Sequence, residues 1–262
     1  MENHQEKLEQ IVKYAAQEEL LPRFRNVKRS HKADGSIITE ADVAMQERIA
    51  RELTAQWPDI VLLGEEMPAD EQQHLLASGQ PLWILDPLDG TSNFAAGVPF
   101  FSVSLALLAE GQVSLGIVYD PLRDECFSAQ QGRGAFLTGT ALHSAECGLT
   151  LKQAMALIDF KRLPTDLATR LVTEMPYASQ RSFGSVALDW CWIAAGRCHI
   201  YLHGRQNIWD YAAGYLILHE SGGLSTSLSG DDVLVSALTP RSAVAALDHN
   251  LYDEWLSWLD IA

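Results

Sequence analysis

A short apolar run, Trp83-Ile84-Leu85, passes without a spacer into Asp86-Pro87-Leu88-Asp89-Gly90-Thr91-Ser92-Asn93. The apolar run reads as a buried strand, and the Pro and Gly that follow punctuate its end. Thr91 then opens a helix. A strand that hands over to a helix through a turn carrying two carboxylates points to a layered mixture of strands and helices.

The same alternation continues along the chain. Leu8, Ile11, Val12, Ala15, Ala16 and Leu20 follow helical spacing, and Pro22 stops or bends that helix. The polar and basic residues 26–36 end in the turn signal Asp34-Gly35 and read as an exposed loop. Met45, Ile49 and Leu53 stripe a helix over Ala41–Gln56, closed by Trp57-Pro58. Ile60–Leu63 is expected to form a strand running into Gly64-Glu65-Glu66, and 68–81 a polar surface segment. Phe101–Leu108 and Val113–Tyr119 flank Glu110-Gly111 as a hairpin, extended by Glu125–Ser128. Further on, strands at Ala154–Ile158 and Cys198–Leu202 alternate with helices at Leu167–Met175, Ser185–Ala195 and Ile208–Glu220, the last ended by Gly222-Gly223. No repeat or linker interrupts the pattern. The expectation is an α/β (α+β mixed) fold, a single domain over 1–262 with two intimately packed lobes, about 1–140 and about 141–262.

Composition narrows the possible functions. Apolar residues are 47% of the chain, enough for a sizeable core. The formal net charge of −15 repels nucleic-acid phosphates, so no nucleic-acid partner is expected. Cys126, Cys147, Cys191 and Cys198 form no C-x-x-C pair and read as reduced thiols. The polar N-terminus lacks a signal-peptide pattern, and no apolar stretch is long enough to span a bilayer. A cytoplasmic protein with no membrane partner is therefore expected.

Chemistry concentrates at Asp86–Thr91. Asp86 and Asp89 stand three residues apart across a Pro-constrained turn and can face one point, together with the Leu88 carbonyl. Gly90 lets the backbone approach a ligand, and the free N–H groups of the helix that Thr91 opens attract phosphate. Carboxylate and carbonyl oxygens are hard ligands suited to Mg²⁺. An Asp beside Pro and Gly also serves simply as a turn residue or helix cap. The aspartyl-phosphate phosphatase motif places its two Asp two residues apart, and the extra residue here turns the second carboxylate away. Glu65, at the end of a neighbouring strand, and Asp210, at a helix start, supply further acids. Alone, Asp210 reads as an ordinary helix N-terminal acid.

The ordered set Gly64-Glu65-Glu66, Asp86-Pro87-Leu88-Asp89-Gly90-Thr91-Ser92-Asn93-Phe94 and Trp209-Asp210, followed by Glu220-Ser221-Gly222-Gly223, resembles the inositol monophosphatase family. The resemblance runs from about Lys32 to Gly223. It implies a layered αβαβα sandwich of the sugar phosphatase type and a Mg²⁺-dependent, lithium-sensitive phosphatase, commonly a homodimer. The substrate would be a small phosphorylated metabolite, with two or three Mg²⁺ per site. Carried over by position, Glu65, Asp86, the Leu88 carbonyl, Asp89 and Asp210 would bind metal, and Glu66 would hold a further ion through water. Asp42 would orient Thr91 toward the attacking water, with Glu65 helping to hold the metal that carries it. Asp89, Gly90, Thr91, Ser92, Gly184, Ser185, His203 and Asp210 would contact substrate. One departure stands out. Inositol-preferring members carry a Glu seven residues before the Trp-Asp aspartate, where this chain has His203. That puts inositol phosphate itself in question and keeps histidinol phosphatase, bisphosphate nucleotidase and fructose-bisphosphatase as alternatives. Arg205 nearby would favour an added anionic group, or both residues decorate an exposed loop. A non-catalytic metabolite-sensing or partner-binding module is the alternative from a different class.

Overall fold

Residues 2–27, 30–31, 37–143 and 146–261 are described by the structure, a computed structural model. In the first half the elements are α1 (Glu2–Glu19), β1 (Ser30–His31), β2 (Ile37–Ile38), α2 (Glu40–Gln56), β3 (Val61–Gly64) and α3 (Ala69–Ala77). They continue with β4 (Leu82–Asp89), α4 (Thr91–Ala96), β5 (Ser102–Ala109), β6 (Gln112–Asp120), β7 (Glu125–Gln130), β8 (Ala135–Leu137) and β9 (Thr140–Leu142). The second half holds β10 (Met155–Asp159), α5 (Thr165–Glu174), β11 (Ser179–Arg181), α6 (Val186–Ala194) and β12 (Ile200–Gln206). It closes with α7 (Ile208–Ser221), β13 (Leu224–Thr226), β14 (Arg241–Ala246) and α8 (His249–Leu259). A 3₁₀ turn at Phe160–Arg162 follows β10.

Successive side chains of a strand point to opposite faces, and here both faces of both sheets are apolar. In β4, Leu82 and Ile84 face one core while Trp83 and Leu85 face another. In β12, Tyr201 joins the first of these cores while Ile200 and Leu202 enter a third. A strand that is apolar on both faces must be covered on both. Three cores separated by two sheets therefore dictate five layers. Helices α1 and α2 cover the outer face of the seven-stranded sheet, ordered β3-β4-β5-β6-β7-β8-β9. Helices α6 and α7 fill the space between the sheets. Helices α5 and α8 cover the far face of the five-stranded sheet, ordered β11-β10-β12-β14-β13. This is the αβαβα order expected above.

Gly116 and Gly214 make the middle layer thin. A Cβ on Gly116 would stand 2.9 Å from the Ala213 carbonyl oxygen, so β6 and α7 touch backbone to backbone. The four cysteines form no disulfide.

Several boundaries differ from expectation. Strand β4 continues through Pro87 to Asp89, because the pairing with β5 shifts register between Asp86 and Asp89 and absorbs the proline. The segment 68–81 contains α3, whose Gln72 and Leu76 turn inward while most of its surface stays polar. Within 26–36, Ser30–His31 pairs with Ile37–Ile38 as a small antiparallel ribbon, and 28–29 and 32–36 lie outside the described residues. Strand β12 runs on to Gln206, so His203 and Arg205 belong to a strand and not to a loop.

Candidate active site

Strands β3 and β4 are parallel, with Gly64 level with Leu85, and the Glu65 amide donates to the Leu85 carbonyl at 3.1 Å. Both strands therefore end on the same side, which brings Glu65 beside Asp86. In open sheets the carboxyl ends of parallel strands are where ligands gather. Asp86 and Asp89 are buried at 2% and 8% exposure. Asp86 Oδ1 accepts from the Leu88 amide at 2.9 Å, which holds the proline turn shut.

Asp89 reaches across to the second half of the chain. Its Oδ2 accepts from the Ser185 hydroxyl at 2.6 Å and the Ala187 amide at 2.7 Å. It thereby caps α6 from 98 residues away. Asp210 is N3 of α7, and its Oδ2 accepts from the Asn207 amide at 2.7 Å in a capping box. Between Asp89 and α4, Gly90 adopts φ 97°. A Cβ there would sit 3.1 Å from the Phe100 carbonyl oxygen and 3.3 Å from that of Gly184, so only glycine fits this turn.

The Gly184 loop is tied to α4 by Asn93, whose Nδ2 donates to the carbonyls of Phe100 at 2.8 Å and Phe183 at 2.6 Å. Gly90, Gly184 and Ser185 are thus brought together. Ser92 lies in the first turn of α4 alongside Thr91. On the other flank, Thr91 Oγ1 lies 3.0 Å from Asp42 Oδ1 and 3.0 Å from the Leu88 carbonyl. Asp42 is steadied by Thr39, whose hydroxyl and amide donate to Oδ2 at 2.6 and 2.8 Å. Thr39 and Asn93 were absent from the expected set. The Thr39-x-x-Asp42 spacing of a capping box is the signal that marks Thr39; Asn93 has no comparable local signal.

The electrostatics are those of uncompensated negative charge. Burial pushes the Asp86 carboxyl well above its ordinary range, and the charges of Glu65, Asp89 and Asp210 push it further. Burial does the same to Asp210, reinforced by Glu65 and Asp89. Asp89 is raised by burial to about 6, although hydrogen bonds from Ser185, Ala187 and Val186 pull the other way. Burial also raises Asp42. Among the described residues no three acidic, histidine or cysteine side chains already close into a metal cage. Like charges do not close up unaided; Asp86, Asp89 and Asp210 each turn one oxygen to a backbone amide instead. Buried carboxylate oxygens and a carbonyl with a spare lone pair at Leu88 make a hard, anionic donor set that fits a divalent cation.

This charge sets a pH dependence. Without cation, Asp89 binds its proton more tightly folded than unfolded, so its contribution stabilises below about pH 4 and is lost as pH rises through about 6. For this group alone the effect is on the order of 2–3 kcal/mol. The metal-free protein should melt at lower temperature at pH 7.5 than at pH 5, and divalent cation should raise the melting temperature most at the higher pH. Cation stabilisation of equal size at both pH values would contradict a charge-driven site.

His203 is buried, 3% exposed, and its Nε2 lies 3.2 Å from Asp159 Oδ2 across the parallel pair β10–β12. It decorates no loop. Glu66 lies just past β3, where its amide donates to Gln46 Oε1 at 3.1 Å.

A five-layer αβαβα sandwich with a nest of carboxylates beside two parallel strands is the architecture that this chain shares with phosphoric monoester hydrolases. The inositol monophosphatase family model matches residues 1–257, and the chain belongs to that family. It is 35% identical over 228 residues to Nus factor SuhB of Pasteurella multocida, covering 86% of this chain and 83% of the relative. It is 34% identical over 243 residues to inositol monophosphatase 2 of Solanum lycopersicum, covering 90% of each. A fructose-1,6-bisphosphatase/inositol-1-monophosphatase of Thermotoga maritima shares 34% over 198 residues, 75% of this chain and 73% of that one. Among solved structures, a Thermotoga maritima IMPase superposes with a TM-score of 0.85 at 28% identity, covering 98% and 97% of the two chains.

Proposed function

We propose that this protein hydrolyses a small phosphate monoester, an inositol monophosphate or a similar polyol or sugar phosphate, by attack of a metal-activated water. The observation that supports this most directly is the convergence of Glu65, Asp86, Asp89 and Asp210 as mutually repelling carboxylates beside the Thr91–Asp42 hydrogen bond. Mg²⁺ would be held by Glu65, Asp86, the Leu88 carbonyl, Asp89 and Asp210, with Glu66 reaching a further ion through water. When bound, the metal offsets the charge of the phosphate dianion and lowers the pKa of a coordinated water.

The chain's own groups do the rest. Thr91 Oγ1 donates its single proton toward Asp42 and accepts a hydrogen bond from the attacking water, so that as the water gives up its proton to Oγ1 the original Thr91 proton passes to the Asp42 carboxylate. Asp42 takes up the resulting shift of charge while Thr39 keeps it from rotating. The backbone of Gly90, Thr91 and Ser92 would face the phosphate, and Gly184 and Ser185 the organic part; His203, buried with both ring nitrogens engaged by Asp159 and the Arg205 amide, would shape that region without donating to substrate. Family membership supports two or three Mg²⁺ per site, inhibition by Li⁺, a homodimer and a cytoplasmic location. No described helix is long and apolar enough to cross a membrane.

Thr91→Ala and Asp42→Asn should each lower kcat by roughly 10²-fold, the usual worth of a positioned proton acceptor, and change KM less. Steady-state kinetics with unchanged kcat would remove the pair from water activation. The reading as a whole is tested by phosphate release with Mg²⁺, with and without Li⁺. The panel is inositol 1-phosphate, histidinol phosphate, 3′-phosphoadenosine 5′-phosphate and fructose 1,6-bisphosphate. Metal-dependent release from one far above the rest identifies the substrate. No release from a folded, metal-loaded protein would turn the reading to a binding role.

A further inference from the structure

Helix α6 is apolar apart from one acid, Asp189, and that acid is buried with the rest. It is 7% exposed, and its Oδ1 has no hydrogen-bond partner among the described residues. Burial raises the Asp189 carboxyl well above its ordinary range, and the charges of Asp89 and Asp159 add to the rise. The Asp189 amide donates to the Ser185 carbonyl at 3.0 Å, so the two residues stand one helical turn apart on the same face. Ser185 is the residue whose hydroxyl holds Asp89. Leu188 and Trp190, on either side of Asp189, have no exposure at all, whereas Asp189 is about as open as Asp89 at 8%. Asp189 therefore stands where the middle-layer core meets the carboxylate site, between Asp89 and the Asp159–His203 pair.

A buried carboxyl oxygen without a hydrogen bond is destabilising, and groups of this kind concentrate where a chain serves a ligand. The other polar groups at this end of the site are committed. The Ser185 hydroxyl donates to Asp89, His203 Nε2 meets Asp159, His203 Nδ1 accepts from the Arg205 amide, and Asp159 Oδ1 accepts from the Lys161 amide. A second polar atom is left over. Gln206 is 1% exposed, and its Oε1 accepts from Trp190 Nε1 at 3.0 Å and from the Tyr201 hydroxyl at 3.3 Å. Those two donors fix which way the amide points, and its buried Nε2 has no partner among the described residues. Tyr201 links the two leftovers: after burial, the charge of Asp189 is what raises its hydroxyl most. An unused acceptor and an unused donor grouped around one tyrosine match a group that donates and accepts at once, and an alcohol does both. An ammonium would satisfy the acceptor but meet the hydrogens of the Gln206 amide. A carboxyl oxygen accepts in either protonation state, so the match requires no particular charge on Asp189.

We propose that Asp189 is a specificity-determining residue of this site, accepting a hydrogen bond from a hydroxyl of the substrate's organic part while the Gln206 amide donates to the same oxygen. The proposal rests on the phosphatase reading above. It is tested by kcat/KM with Mg²⁺ on two matched pairs that differ only in hydroxyls: inositol 1-phosphate against cyclohexyl phosphate, and glycerol 3-phosphate against propyl phosphate. Hydrogen bonds to buried polar groups correspond to a preference of about 10- to 100-fold for the hydroxylated member of at least one pair. In Asp189→Leu, similar in size but without an acceptor, that ratio should fall toward one. Asp189→Asn, which keeps an acceptor oxygen, should recover part of it. Stability should move the opposite way from that of a structural carboxyl. Asp189→Leu should melt higher by roughly 2 °C or more, because an apolar side chain replaces a buried, unbonded oxygen. The wild-type ratio depends on no variant, and a value near one in both pairs overturns the role of Asp189 while leaving the phosphatase reading standing. An intact ratio in folded Asp189→Leu overturns it equally, and a lower melting temperature alongside that intact ratio makes the carboxyl structural. No release from any of the four compounds overturns both readings.

Discussion

Asp89→Asn is expected to abolish turnover, with kcat/KM lower by roughly 10³-fold or more, the equivalent of about 4 kcal/mol of transition-state stabilisation, while the fold persists. The distinction follows from the two oxygens. Oδ2 is the acceptor for Ser185 and Ala187 and caps α6. An asparagine carbonyl can take over that role without moving, and the group already tolerates neutrality, since burial raises it to about 6. What asparagine cannot supply is the negative charge that a cation ligand carries. Thermal melts and phosphate release on the same preparation separate the cases. A normal melt with lost activity supports a ligand role. Wild-type turnover would remove Asp89 from the ligand set, and a collapsed melt would make its role structural.

The largest expected loss of stability is at Trp190. It is fully buried between the sheets, its Nε1 donates to Gln206 Oε1 at 3.0 Å, and its ring packs against Tyr201 and Tyr215. Gly214 of α7 lies directly against it. Trp190→Ala removes a large apolar volume from the middle layer and leaves the Gln206 carbonyl with only Tyr201 at 3.3 Å. The expected cost is about 3–5 kcal/mol, or a melting temperature lower by roughly 6–20 °C. Because α6 carries the Ser185 and Ala187 donors to Asp89, activity should fall with it. A loss under about 2 °C would mean that the middle layer collapses around the gap, and that the two sheets are not held apart by this ring.

Most of this architecture is legible as alternation. Trp83-Ile84-Leu85 and Ala154–Ile158 read as strands because no polar residue interrupts them, and the fold buries both faces of each. The metal-ligand candidates are legible because Asp86, Leu88 and Asp89 share one turn. What is not legible depends on distant partners. His203-Gly204-Arg205 looks like a loop because two of its three residues are polar and the third is glycine; only pairing with β10 and β14 makes it a strand. Pro87 looks like a strand terminator until the register shift opposite β5 absorbs it. Asp189 gives no warning of its burial inside an apolar helix, where its carboxyl is raised far above the ordinary range by burial. The partnership of Asn93 with Phe183 spans 90 residues and leaves no periodic trace.

The bond from Asp89 to the start of α6 has a consequence for how the molecule comes into being. During synthesis, a chain that has emerged only as far as about residue 180 already carries Glu65, Asp86 and Asp89, but neither the hydroxyl and amide that steady Asp89 nor Asp210. Its carboxylates stay in water, ionised and apart, with nothing to oblige them to meet. The first half can pair its strands early, yet the carboxylate nest is complete only once the segments that form α6 and α7 have been made and packed between the sheets. A cation held by the proposed ligands would then reward the finished molecule and not its precursors, and metal affinity would act as a late proofreader of complete folding.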